Sequence, residues 1–230
     1  MTERVALITG ASQGLGLALA EALAGEGYSL VIDARRADRL EPAASALAER
    51  TSVVSIPGDI SDPAHRAQLV EAVQELGRLD VLVNNASTLG ASPLPALATI
   101  DLDVLRRVYD VNVVAPLALT QQLLGLLEAS AGTIVNVTSD AAVEAYEGWG
   151  GYGSSKAAFE QLSAVLAVEV PKVRVLVVDP GDMRTEMHQD AFPGEDISDR
   201  PLPATVVPGL VALITGNQPS GRVRVSEVVS

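Results

Sequence analysis

Seven apolar, β-rich runs alternate along this chain with stretches of helical periodicity, and no other feature restricts the fold as much. The runs are 4–9, 28–33, 52–56, 79–83, 132–138, 173–178 and 222–225. Strands that alternate with helices argue for βαβ units and a parallel sheet covered on both faces. Val81-Leu82-Val83 and Val175-Leu176-Val177-Val178 are continuously apolar, the pattern of strands buried on both sides. Leu15–Ala24 and Ala157–Val168 are rich in Ala and Leu and suit helices. The stretch 101–128 also reads as helical, with a break expected near Pro116, whose ring and missing N–H disfavour a helix interior. The expectation is a single doubly wound α/β domain over 1–230 with a mostly parallel sheet of about seven strands.

Composition narrows the function. At 230 residues, 48% hydrophobic and 20% charged, the chain can bury one core. The absence of cysteine removes disulfides, thiolate chemistry and Cys-ligated metal. His65 and His188 are far apart, read as ordinary surface or loop residues, and suggest no metal site. A net charge of −13 disfavours nucleic acid or an anionic membrane as partner. The first residues run straight into a strand pattern without the basic start and apolar run of a signal peptide, and no apolar stretch reads as long enough to cross a bilayer. The cytoplasm is the expected compartment. The least regular region is 183–203, with Gly194 and prolines 193, 201 and 203; its length suggests a substrate lid or binding loop.

Two constellations carry chemistry. The first run ends in Thr9-Gly10-Ala11-Ser12-Gln13-Gly14-Leu15-Gly16 and leads directly into a helical pattern. A strand, a glycine-rich turn and a helix N-terminus make an anion site: glycines admit phosphate to the backbone, while free amides and the helix dipole favour its charge. In the second, Tyr152 and Lys156 lie four residues apart and so share one helical face, and Ser139 ends the fifth run thirteen residues earlier. An ammonium beside a phenol favours phenolate. Moving a phenol from pKa ~10 towards 7 takes about 4 kcal/mol, so the lysine need not act alone.

The G-x-x-x-G-x-G turn resembles the TGxxxGxG motif of the short-chain dehydrogenase/reductase family, and Tyr152-Gly153-Ser154-Ser155-Lys156 resembles its YxxxK. Asn84-Asn85-Ala86-Ser87 is similar to the family's NNAG except at its last residue, where serine fits only if the backbone avoids a left-handed conformation. The resemblance implies a Rossmann-type fold and an oxidoreductase that moves a hydride between NADP(H) and a small-molecule carbonyl or alcohol. It further implies that Tyr152 is the general acid or base, Ser139 binds the substrate oxygen, and Lys156 holds the nicotinamide ribose and depresses the tyrosine pKa. Asn112 would maintain a water-mediated proton route to the lysine. Gly10, Ser12, Gln13, Gly14, Leu15 and Gly16 would bind the pyrophosphate side of the cofactor. Asp59 and Ile60 would sit by the adenine, with Asn85 and Ala86 along the cofactor, and Pro180, Gly181, Met183 and Thr185 would pass the nicotinamide end. Family members also form homodimers or homotetramers, here through 101–128 and 152–169.

Cofactor choice turns on Asp33-Ala34-Arg35-Arg36. A carboxylate about twenty residues after the glycine turn commonly binds the NAD ribose, whereas arginine accommodates the NADP 2′-phosphate. By the resemblance Ala34 occupies the NAD-selecting position and Arg35, with Arg36, the NADP-selecting one. Strand alternation aims Asp33 away. Gln13 stands where many NADP-using relatives carry a second basic residue. The substrate pocket is expected from Thr88, Leu89, Ala141, Tyr146, Trp149, Met183 and Met187, with Trp149 alternatively an interface anchor. A non-catalytic NADP(H)-binding regulator is the rival that a lost Tyr152 or Lys156 would have favoured. Relatives that use the nucleotide for epimerisation or dehydration usually carry a longer C-terminal region.

Overall fold

The computed structural model describes residues 3–228. Seven strands, β1 (Arg4–Ile8), β2 (Tyr28–Ala34), β3 (Val53–Pro57), β4 (Val81–Asn84), β5 (Thr133–Val137), β6 (Arg174–Asp179) and β7 (Gly221–Arg224), form one sheet. All pairings are parallel and the order is β3-β2-β1-β4-β5-β6-β7. The order reverses between β1 and β4, which opens a crevice at the carboxyl ends of the strands.

Successive strand residues feed opposite layers, as the pleat requires. Ile8, Ile32 and Val178 face a layer built by Leu19 and Leu23 of α1 (Gly14–Gly25), Leu40 and Leu47 of α2 (Ala37–Ala48) and, beyond α7 (Glu186–Ala191), Leu210 and Leu213 of α8 (Pro203–Thr215). Leu7, Val31, Leu82 and Ile134 face the other layer, where α3 (Pro63–Leu76) packs Leu69 and Val73 beside Leu119, Leu123 and Leu127 of α5 (Ala115–Ser130). The remaining helices are α4 (Leu102–Tyr109) and α6 (Gly150–Glu169).

Three expectations need correction. The helical run does not break at Pro116: α4 passes into α5 through a π turn at Asp110–Val114, and Pro116 falls in the first turn of α5. A wider turn just upstream absorbs the missing donor, so the helix continues. That continuous run, Leu102–Ser130, is long and apolar enough to cross a membrane by length and composition alone, contrary to the expectation that no stretch is; its buried residues pack onto the sheet. The region 183–203 is not irregular throughout, because Thr185 caps α7 by accepting from the His188 amide at 3.1 Å.

Candidate functional site

The glycine turn lies where β1 enters α1. Gly10 has φ of 69°, and a Cβ there would come 3.0 Å from the Ala86 Cα; a Cβ on Gly16 would come 2.4 Å from the Gly10 oxygen. Both positions therefore need glycine. Thr9 ties the turn to β4: its hydroxyl donates to the Val83 oxygen at 3.2 Å and accepts from the Asn85 and Ala86 amides at 3.0 Å each. The Asn85 side chain donates to the Thr9 and Gly10 oxygens at 2.8 and 3.1 Å, so it braces the turn. Gln13 is the N-cap of α1 and makes no side-chain cap, leaving the first amides of the helix to another acceptor.

Asp33 is 1% exposed. Its carboxylate accepts from the Gly10 amide at 2.7 Å and meets His65 Nε2 at 2.9 Å. Burial raises its pKa, with the His65 and Gly10 hydrogen bonds opposing. The carboxylate thus holds the glycine turn and His65, and Asp33 also lines the cleft. His65 is 4% exposed on α3, so its reading as a surface residue was wrong. His188 is also enclosed: its side chain is 10% exposed, Nε2 has no hydrogen-bond partner, and the ring lies 4.9 Å from that of Phe192.

One cleft of about 1060 Å³ runs along the carboxyl ends of the strands. Gly10, Ser12, Gln13, Gly14 and Leu15 line it with Ala34, Arg35, Arg36, Asp59 and Ile60 at one end. Asn85, Ala86, Ser139, Tyr152, Lys156, Pro180, Gly181 and Met183 line it too, as does Thr185, whose methyl lies 3.6 Å from where a Cβ on Gly14 would stand. Gly16 and Asn112 stand behind the wall. Asn112 is 1% exposed; its amide donates to the Thr88 oxygen and Ser155 Oγ, both at 3.0 Å, and its oxygen accepts from the Thr88 amide at 2.9 Å and Ser87 Oγ at 3.1 Å. Ser87 has no positive φ, so serine fits where the family motif has glycine. Asp59 already accepts from the Ser61 amide and hydroxyl and from Arg107; burial would raise its pKa, but these partners together hold it below the usual carboxylate range.

Tyr152 and Lys156 occupy the first two turns of α6 and are 8% and 2% exposed. Lys156 Nζ donates to the Val137 oxygen at 2.8 Å and lies 5.5 Å from the Tyr152 ring centre. Burial lowers the lysine to about 8, against a smaller raising effect of Glu160. Burial also pushes the Tyr152 phenol well up, with Asp140 and Asp179 adding to it and the Ser87 hydroxyl opposing. Protein groups alone do not generate a phenolate here. Ser139 Oγ accepts from the Ala141 amide at 3.2 Å and donates to Asp140 Oδ1 at 2.9 Å.

Beside this triad Leu89, Ala141, Tyr146, Trp149, Met183 and Met187 line the cleft, whereas Thr88 is engaged with Asn112 and does not. Trp149 is edge-on to Tyr152 at 5.7 Å and near Phe192 at 5.9 Å, so its ring belongs to the cleft wall. Sequence reasoning missed Asp140, His188, Phe192, Arg39 and Glu186, all of which line the cleft. Arg39 bonds both Gln13 and Glu186, and the Arg39 hydrogen bond holds the Glu186 carboxyl below its usual range.

Fold and cleft define a Rossmann-type α/β protein. The family model for short chain dehydrogenase matches residues 4–196. Rat (Rattus norvegicus) sepiapterin reductase is 37% identical over 199 residues, covering 80% of this chain and 76% of that protein. The rhamnolipids biosynthesis 3-oxoacyl-[acyl-carrier-protein] reductase of Pseudomonas aeruginosa is 36% identical over 193 residues, covering 80% and 74%. Among solved structures, the alcohol dehydrogenase of the archaeon Thermococcus sibiricus complexed with 5-hydroxy-NADP superposes with a TM-score of 0.86 at 28% identity, covering 96% of this chain and 95% of that one. The chain belongs to the short-chain dehydrogenase/reductase family and is an oxidoreductase. The family uses nicotinamide cofactors and acts on small molecules.

Proposed function

We propose that this protein is an NADP(H)-dependent oxidoreductase that interconverts a carbonyl and an alcohol, with Tyr152 as general acid and base. One observation carries the reading: Ser139, Tyr152 and Lys156 line the same cleft as the glycine turn, so a dinucleotide held at one end would bring its reactive ring to the other. Two relatives named as reductases and a solved neighbour with 5-hydroxy-NADP support it.

Gly10, Ser12, Gln13, Gly14 and Leu15 would hold the pyrophosphate on backbone amides, with Gly16 allowing the turn to close and Asn85 bracing it. Asp59 and Ile60 would flank the adenine side and Ala86 the middle. Pro180, Gly181, Met183 and Thr185 would border the nicotinamide, which would supply the hydride chemistry when bound. Tyr152 gives its phenolic proton to the substrate oxygen in reduction and recovers it in oxidation. Ser139 Oγ turns its hydrogen from Asp140 to that oxygen and stabilises the charge developing there. Lys156, largely protonated at pH 7, supplies the fixed positive charge that the buried phenol needs. Asn112 fixes the π turn behind the lysine and the expected proton route. Within 183–203, Met187 and Phe192 beside Trp149 form the substrate side of the cleft, while Glu186 turns to Arg39 near the glycine turn. Exposed Leu102 on α4, Val114 in the π turn, and Leu162, Val165 and Val168 on α6 favour a homodimer or homotetramer, and the expected compartment is the cytoplasm.

With Asp33 sequestered by Gly10 and His65, the exposed guanidinium of Arg35 is left to read the 2′ position, while Arg36 is shared with Asp38 at 3.1 Å. The test is reductase activity on a carbonyl panel with each cofactor. Higher kcat/KM with NADPH, reduced about tenfold or more in Arg35→Ala by loss of a charge-assisted contact, is expected. A wild-type preference for NADH would refute the cofactor assignment.

A further inference from the structure

Gln13 brings no charge to the glycine turn, yet the fold sets a cation beside it. Arg39, in the first turn of α2, reaches back 26 residues to the Gln13 carboxamide oxygen and forward 147 residues to the Glu186 carboxylate at the start of α7. These three residues line the cleft together with Ala34 and Arg35. Gln13 is free to hold Arg39 because it makes no cap to α1. The guanidinium side chain is 35% exposed and Glu186 51% exposed, so water screens the pair and another anion can replace the carboxylate at small cost. A phosphate monoester, with nearly two charges and three acceptor oxygens, is the stronger partner for a planar guanidinium.

We infer that Arg39 is a second guanidinium reading the 2′-phosphate of the nucleotide, brought from α2 to the place where Gln13 leaves the turn neutral, and that Glu186 is the counter-ion the phosphate displaces. The inference rests on the NADP(H) reading above. Arg39 serves binding and selectivity; it is remote from the reacting atoms at Tyr152. Glu186 has the opposite effect, competing with phosphate for Arg39, so its removal strengthens binding only of ligands that carry the 2′-phosphate.

Isothermal titration of the full chain with adenosine 2′,5′-bisphosphate and with 5′-AMP, which differ only in that phosphate, tests this without turnover. Wild type is expected to prefer the bisphosphate. Arg39→Leu should cut that preference about tenfold or more while leaving 5′-AMP affinity in place. Glu186→Gln should raise bisphosphate affinity alone, and the gain should vanish when combined with Arg39→Leu. A preference lost in Arg35→Ala but intact in Arg39→Leu would overturn the role of Arg39 and leave the NADP(H) reading standing. Equal weakening of both ligands in Arg39→Leu would also overturn it, as damage to α2 and not lost phosphate recognition. Wild type with no preference for the bisphosphate would overturn both.

Discussion

Lys156 is 2% exposed, and burial lowers its pKa from 10.5 to about 8. Between these values the unfolded chain binds the proton and the folded chain has released it, so this residue's contribution to stability rises as pH climbs from about 8 to 10.5. Below pH 8 the buried ammonium is a constant cost of about 3 kcal/mol. Urea unfolding of wild type and Lys156→Met across this range should show wild type gaining on the variant by about that amount as pH rises. A difference that does not change with pH would contradict the buried ammonium. Tyr152, Lys156 and Ser139 were legible because the four-residue spacing puts the first two on one helical face and the pattern, with a serine thirteen residues upstream, resembles the family's YxxxK. His65 was not recognised, although it is four residues before Leu69 and eight before Val73 and so shares their buried face. Its polarity masked that position, and the partner that satisfies it, Asp33, lies 32 residues away.

The π turn is the element that residue patterns could not reveal. Proline at 116 signals a disturbed helix, but whether the chain breaks or widens depends on what can fill the turn. Here Asn112 fills it by linking Thr88 and Ser87 after β4 to Ser155 in α6. Truncation would strand several buried partners at once, each costing roughly 1–3 kcal/mol. Asn112→Ala should therefore lower the unfolding free energy by about 2 kcal/mol or more, seen as a lower urea midpoint. A midpoint unchanged from wild type would mean that this link does not hold the turn. Similarly α7 was hidden in a proline-rich and acidic stretch, since a helix of six residues has little periodicity and owes its start to the Thr185 cap.

The sheet was readable almost throughout because parallel strands buried on both faces must be continuously apolar. All seven expected runs are strands, with ends shifted by one or two residues. What the sequence withheld are links between distant segments: Arg39 to Glu186, Asp33 to His65, and Arg222 to Asp179 at 3.0 Å, which ties β7 to β6. Such pairs leave no spacing signal, because the sheet order and the crossovers decide which side chains meet. The same sheet order places the glycine turn and Tyr152 on a single cleft, and the proposed chemistry depends on that convergence. Tyr152→Phe tests it most directly, by removing one oxygen from a ring already packed against Trp149. Nucleotide affinity and the urea midpoint should stay near wild type while turnover of a carbonyl substrate falls by about 10²-fold or more. Turnover close to wild type in that variant would contradict the assignment of proton transfer to Tyr152.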